Sequence, residues 1–254
     1  MDHAKGQRLF AEGHIPGANF APVETALAGA KTGTNGRHPL PAPEAFAAFL
    51  AAHGVSASST VVAYDESGGL YASRLWWMAR WIGLKSVALL DGGIAKWQAE
   101  GRPVTTVVKT PQLAELRAHV DPSMGWSAGA VLGHLSDPSC AVIDARAAER
   151  FRGEVEPIDP VAGHIPGALN RFYRCNLRAD LTFRPAAELN TEFSALLNHR
   201  PPGNVVHLCG SGITACVNLF AMELAGLPGS KLYAGSWSEW VADPSRPVAR
   251  GAAS

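Results

Sequence analysis

Val205-Val206-His207-Leu208-Cys209-Gly210-Ser211-Gly212-Ile213-Thr214-Ala215-Cys216 joins a short apolar run to a glycine-bearing loop, and a helical pattern then continues to Ala225. The reading is strand, tight loop and helix, with one thiol at the end of the strand. In that arrangement several backbone N–H groups and the positive end of the helix dipole are aimed at the sulfur. Such surroundings favour the thiolate, the nucleophilic form of cysteine. A small buried core thiol is the alternative. It fits less well, because a glycine, a serine and a second glycine follow Cys209.

Working outward, the chain repeats itself. Gly13-His14-Ile15-Pro16-Gly17-Ala18 returns as Gly163-His164-Ile165-Pro166-Gly167-Ala168, 150 positions later. That spacing is too long for a solenoid repeat and suits a duplicated domain. Further matches keep the same order. Val61-Val62-Ala63-Tyr64 before Asp65 parallels Val205-Val206-His207-Leu208 before Cys209, and Asp91-Gly92-Gly93 with Trp97 parallels Ala234-Gly235-Ser236 with Trp240. His14 and His164 both lie inside the repeated motif, which points to fixing backbone rather than to chemistry.

Each half alternates short apolar strands with amphipathic helices. This predicts an α/β fold of two tandem domains, each a mainly parallel sheet flanked by helices. The expected strands are Thr60–Tyr64 and Val87–Leu90 in the first half, and Ala141–Asp144, Val205–Leu208 and Lys231–Tyr233 in the second. Expected helices are Pro43–His53, Tyr71–Ile82, Ala186–Leu197 and Thr214–Ala225. Composition divides the chain into an N-terminal domain over 1–108, a Pro-, Thr- and Val-rich linker over 109–125, and a C-terminal domain over 126–254. The second half has a strand ending at Asp144, nineteen residues before Gly163, whereas only twelve residues precede Gly13. The first domain thus lacks a matching N-terminal strand in this sequence. Either it evolved without one or the reading frame begins upstream of Met1, and the second explanation is favoured.

The two corresponding loops differ in chemistry. Where the second half has Cys209, the first has Asp65-Glu66-Ser67-Gly68-Gly69. A carboxylate cannot do thiol chemistry, and two acids would repel an anionic substrate. The second half reads as catalytic and the first as scaffold.

Composition narrows the function classes. The 254 residues are 47% hydrophobic and 17% charged, which marks a globular chain, and 22 basic residues balance 22 acidic ones. That neutrality gives no electrostatic footprint for nucleic acid and no charged block for a membrane surface. The most apolar run, Leu75 to Leu90, is interrupted by Arg80 and Lys85, so it is not expected to span a bilayer. Met1-Asp2-His3-Ala4-Lys5-Gly6 lacks the apolar stretch of a signal peptide. A cytoplasmic address follows, where a reactive thiol stays reduced. Cys140, Cys175, Cys209 and Cys216 contain no C-x-x-C pair, so no metal site is expected.

The duplicated α/β domain, the Gly-His-Ile-Pro-Gly-Ala motif in each half and the Cys209-Gly210-Ser211-Gly212-Ile213-Thr214-Ala215 loop together resemble the tandem-domain rhodanese family of sulfurtransferases. The resemblance runs from about Phe10 to Val248. It implies a silent N-terminal domain and a C-terminal domain whose cysteine cycles through a persulfide, with no metal or organic cofactor. Family members that use thiosulfate tend to carry basic residues after the cysteine. Those that use 3-mercaptopyruvate tend to carry an uncharged Cys-Gly-Ser-Gly-Val-Thr. The Ile213 variant of that loop looks like the mercaptopyruvate branch.

The resemblance also assigns site residues. Cys209 would be the nucleophile, with Ser211 as a hydrogen-bond donor or proton relay. Gly210, Gly212, Ile213, Thr214 and Ala215 would line the substrate with backbone N–H groups, an oxyanion-hole arrangement applied to sulfur. Arg150, in Arg150-Phe151-Arg152-Gly153, falls where the family's substrate-binding arginine lies, and a guanidinium grips a carboxylate through two hydrogen bonds; a surface or interdomain salt bridge is the alternative. The mercaptopyruvate branch usually has a second arginine nine residues on, but that position here is Asp159, so Arg152, Arg171 or Arg174 is expected to substitute. His38 matches a histidine that approaches the active site from the silent domain, although Asn35-Gly36-Arg37-His38-Pro39 also reads as a turn. Glu24 falls roughly where an acid partner for it would stand. Trp237 and Trp240 are candidates for the pocket mouth, although Trp97 at the matching position of the first copy argues that Trp240 belongs to the core.

The expected chemistry is covalent catalysis, with sulfur moving from 3-mercaptopyruvate through a Cys209 persulfide to cyanide or to a thiol acceptor such as a thioredoxin-like protein. Thiosulfate as donor is the nearest rival, and Asp159 favours it. A cysteine phosphatase would need a longer loop containing an arginine, which this loop lacks. A non-catalytic sulfur-relay or binding module stays open as a different class.

Overall fold

The computed structural model describes residues 3–252. It divides into two compact units. The first comprises the residues up to Ala30, Leu40–Asp121 and Asp180–Thr182. The second comprises Lys31–Pro39, Pro122–Ala179 and Phe183 onward. The short stretch Lys31–Pro39, from the first half of the sequence, therefore belongs to the second unit.

In the first unit, α1 (His3–Glu12), α2 (Val23–Ala26) and α3 (Pro43–Ala52) lead to β1 (Val61–Ala63), α4 (Ala72–Trp81), β2 (Val87–Leu89) and α5 (Gly93–Ala99). Its sheet, among the described residues, is the parallel pair β1–β2, with Val62 opposite Ala88. α1 fills the stretch before Gly13. The residues 109–121 that composition gave to a linker run along this unit, with Ala114, His119 and Asp121 donating backbone hydrogen bonds to Ala51, Ile82 and Trp81.

The second unit contains α6 (Ala128–Gly133), β3 (Ala141–Asp144), α7 (Ala148–Phe151), β4 (Leu169–Asn170), α8 (Ala186–Leu197), β5 (Val205–Leu208), α9 (Ala215–Leu224), β6 (Lys231–Leu232) and α10 (Ser236–Trp240). Its four strands lie in the order β4-β3-β5-β6, all parallel, with Val142 opposite Val206. Alternation along the strands sends side chains to opposite faces. Val142, Val206 and Leu208 pack with Phe151, Ile165, Trp237 and Trp240 on one face. Ala141, Ile143 and Val205 pack with Leu189, Phe193, Val217 and Met222 on the other. Because both faces are covered, β3 and β5 are buried along their whole lengths, as parallel strands in α/β folds are.

The repeated motif builds the same joint twice. His14 stacks on Phe10 with ring centroids 3.9 Å apart and shares a 2.8 Å hydrogen bond with its carbonyl oxygen. His164 stacks on Phe151 at 3.8 Å and bonds its carbonyl oxygen at the same distance. Each histidine also forms an antiparallel bridge to a later segment, His14 with Thr105 and His164 with Ala249. Trp97 donates its indole N–H to Pro103 O at 2.8 Å, and Trp240 donates to Pro247 O at 2.9 Å. The duplication is thus one of side-chain function as well as of sequence, and both histidines hold backbone.

Candidate active site

Cys209 follows the last residue of β5, and the loop 209–214 carries the chain into α9. The thiol is 2% exposed, and Gly212 N–H points at its sulfur from 3.1 Å. The loop is held from behind by the turn that opens α10. Trp237 N–H donates to Cys209 O and Ser238 N–H to Gly210 O, both at 3.0 Å. Cys209 N–H donates to Ser236 Oγ at 3.1 Å. Ser236 adopts a left-handed φ of 54°, uncommon for a residue with a side chain, and is fully buried. In the repeat Ser236 aligns with Gly93, and that alignment carries no signal of its contact with the cysteine.

Two glycines of the loop are required for different reasons. Gly212 has φ +79°, and a Cβ there would lie 2.3 Å from Ala234 O. Gly210 leaves room for arginines: a Cβ there would come within 2.7 Å of Arg37 Nη2 and 3.7 Å of both Nη atoms of Arg150. Ile213 and Ala215 are buried, and Thr214 O accepts the Val217 N–H in the first turn of α9. Cys216 lies one residue into α9 and donates its thiol to Gly212 O at 3.4 Å. All four cysteines are free thiols.

Ser211 Oγ and His38 Nδ1 are 2.8 Å apart, and both residues are buried. His38 thus sits beside the loop because Lys31–Pro39 belongs to this unit. Glu24 lies in the first turn of α2, in the other unit.

Arg150, at the end of α7, is held by Glu156 through Nε at 3.2 Å and Nη2 at 2.6 Å, and its Nη2 also reaches Asp159 Oδ2 at 3.3 Å. The other oxygen of Asp159 is paired with Arg37 Nη1. Arg37 is pinned at its backbone as well, where its N–H donates to Ser238 Oγ at 3.0 Å. Burial pulls its guanidinium below the ordinary arginine range, with neighbouring Cys209 the largest opposing influence. Arg146 lies deeper. Its guanidinium forks onto Asp144, donates to Gly163 O at 2.7 Å and lies 4.6 Å above the Trp237 ring, a fully partnered arrangement.

The arginines expected to replace the missing one are elsewhere. Arg152 pairs with Glu154, and Arg171 pairs with Glu192 while stacking 4.2 Å over Phe193. Arg174 is exposed and donates to Tyr173. Trp237 and Trp240 are fully buried and form part of the core rather than a pocket mouth. The guanidinium that the structure brings to the loop beside Arg150 is Arg37, whose sole sequence signal is adjacency to His38.

The corresponding loop of the first unit is filled by its own side chain. Asp65 Oδ1 accepts the N–H groups of Ser67 and Gly69 at 2.7 and 2.9 Å, and Oδ2 accepts those of Tyr71 and Ala72 at 2.8 and 2.9 Å. Glu66 pairs with Lys5 at 3.4 Å.

Comparison with known proteins adds four likenesses. A model of the rhodanese-like domain matches residues 4–100 and 127–243. A Pseudomonas aeruginosa protein named a probable 3-mercaptopyruvate sulfurtransferase is 49% identical over 252 residues, 98% of this chain and 89% of its own length. A Mycobacterium tuberculosis protein provisionally named thiosulfate sulfurtransferase SseB is 37% identical over 255 residues, 100% of this chain and 89% of its own. Among solved structures, the 3-mercaptopyruvate sulfurtransferase from Leishmania major superposes with a TM-score of 0.82 at 28% identity over 93% of this chain. This chain spans 66% of that structure, just under two thirds of its length.

Proposed function

The chain belongs to the rhodanese family, and from that premise we propose that it is a sulfurtransferase taking sulfur from 3-mercaptopyruvate through a persulfide on Cys209. The observation that carries the reading is the uncharged loop itself. A nearly buried thiol receives the Gly212 N–H, beside the buried Ser211–His38 pair and the Arg150 guanidinium.

The Cys209 thiolate attacks the sulfur of the donor, the new S–S bond forms and the donor's C–S bond breaks. The electron pair leaves on carbon as the enolate of pyruvate. The proton carried by the transferred sulfur passes to that carbon, and the Ser211–His38 pair is placed to relay it. Pyruvate departs and a persulfide anion stays on Cys209, with backbone N–H groups to stabilise it. A thiolate acceptor then attacks the outer sulfur, and Cys209 leaves as a thiolate, ready for another cycle. Arg150 binds the donor's carboxylate. A protein thiol of the thioredoxin-like kind suits the acceptor step, as does cyanide in vitro, and a reducing compartment such as the cytoplasm suits the free thiols. No helix among the described residues is long and apolar enough to cross a membrane.

In this reading the second unit is catalytic and the first is silent, because Asp65 occupies the place of the thiol. Thiosulfate is the second candidate donor, favoured by the name of the Mycobacterium relative. The test is pyruvate release from 3-mercaptopyruvate beside thiocyanate formation from thiosulfate, with Cys209→Ser as control. A larger kcat/KM for 3-mercaptopyruvate, lost in the variant, is expected. Preference for thiosulfate would overturn the donor. A single equivalent of sulfur bound without turnover would make the chain a relay module.

A further inference from the structure

Asp159 looks, in sequence, like an obstacle to carboxylate binding, because an acid stands where a second arginine is expected. In the structure it is the hinge between two guanidinium groups. One of its oxygens takes Arg37 and the other takes Arg150, while its own side chain is 3% exposed. The Arg37 side chain is 31% exposed, so the acid lies behind and the guanidinium in front. Arg37 Nη2 and both Nη atoms of Arg150 face Gly210, the residue next to the thiol.

Arg37 is also fixed at its other end. Gly36, with φ +86°, lies close against Gly235 O, Arg37 N–H is bonded to Ser238, and His38 is bonded to Ser211. A long side chain held at its backbone and its head has little rotamer freedom left to lose on binding. Charge in the cluster is balanced. Arg37, Arg146 and Arg150 face Asp144, Glu156 and Asp159, three against three. A neutral cluster beside a thiolate suits a singly charged carboxylate better than a dianion.

We propose that Arg37 is the second anchor for the donor's carboxylate, gripping it together with Arg150, and that Asp159 is the positioning residue that presents Arg37. This rests on the 3-mercaptopyruvate reading. The anchor has moved from one chain segment to another, and the acid at position 159 is what holds it.

The experiment compares kcat and KM for 3-mercaptopyruvate in the wild type, Arg37→Met, Arg37→Lys and the double variant Arg37→Met/Asp159→Asn. The double variant leaves no unpaired charge behind, so it separates gripping substrate from neutralising Asp159. An anchor predicts KM raised about 10- to 100-fold in both Met variants, with kcat changed much less. Arg37→Lys, which keeps charge but loses the fork, should fall between the wild type and the Met variants. For thiosulfate, which has no carboxylate, kcat/KM should change by less than about threefold. A wild-type KM in the double variant would reduce Arg37 to an ion-pair partner and overturn the proposal. A wild type that fails to turn over 3-mercaptopyruvate would instead overturn the donor reading. Protection of Cys209 from iodoacetamide by pyruvate then still decides the anchor: it should be lost in the double variant, and undiminished protection would exclude Arg37.

Discussion

Asp65 and Cys209 stand at the same point of two copies of one loop, and the backbone around them is used in opposite ways. In the first unit four N–H groups close on the Asp65 carboxylate, so the cradle holds an anion supplied by the chain itself. In the second unit the residue at the centre is a thiol bonded by the Gly212 N–H, and the glycine beside it leaves space that guanidinium groups border. The same local fold thus yields a self-capped turn or a receptive one according to a single side chain. Repulsion between acids and an anionic substrate, the second of the two reasons drawn from sequence, is secondary. Asp65 turns inward and Glu66 pairs with Lys5.

Exchanging residues between the copies tests this contrast, beginning with the largest effect. Cys209→Asp should abolish pyruvate release, by at least about 10⁴-fold, because no nucleophilic sulfur remains. Residual turnover within a hundredfold of wild type would place the chemistry elsewhere. The reverse exchange, Asp65→Cys, should leave that activity intact while costing about 3 kcal/mol of stability, since four charge-assisted hydrogen bonds lose their acceptor. Urea unfolding reads the loss, and an unchanged midpoint would mean that the filled cradle contributes nothing.

His207 offers a third exchange, because its counterpart in the first copy is Ala63. Burial pushes the imidazole down to about 3, with Arg171 adding to the effect, so the native form is neutral. The unfolded chain takes up a proton near its usual value of about 6.5, and the folded chain refuses it until about pH 3. The contribution is therefore complete above about pH 6.5 and falls on acidification by about 1.4 kcal/mol per pH unit within that window. His207→Ala should flatten this slope even though it opens a cavity; an equally steep acid loss in the variant would refute the assignment. The smallest effect is expected for Ser236→Gly, which imports the residue at position 93. It removes the acceptor of the Cys209 N–H and relieves the left-handed φ, so kcat/KM should drop about fivefold with little change in melting temperature.

Much of the fold was legible because its signals are local. Ala141–Asp144, Val205–Leu208 and Ala186–Leu197 fall where apolar runs and helical periodicity place them; β2, α3 and β6 are shorter than expected by one residue at one end, and β1, α4 and α9 by one residue at each end. Leu169–Asn170 was missed because two residues are too few to show alternation, and its pairing with Ile143 and Asp144 makes it a strand. Motifs name Cys209, Ser211 and Arg150 as candidates, and the structure brings Arg150 to the loop and His38 to Ser211. Arg37 was not readable, because nothing local to it reports a partner as distant in sequence as Asp159. Asp159 itself misled for the same reason. An acid in place of a base looks like a lost contact until the base is found on another segment.

The membership of Lys31–Pro39 in the second unit has a consequence for how such a chain can evolve. After a duplication, a copy that has lost its nucleophile is ordinarily free to decay or to be deleted. If the second half works as proposed, the first half of the sequence lends it two side chains, Arg37 and His38, so selection for the reaction reaches into the first repeat. A gene trimmed to the second repeat alone would keep the cysteine and its loop but would give up both loans. The duplication has become an interdependence, and the two repeats are inherited as one.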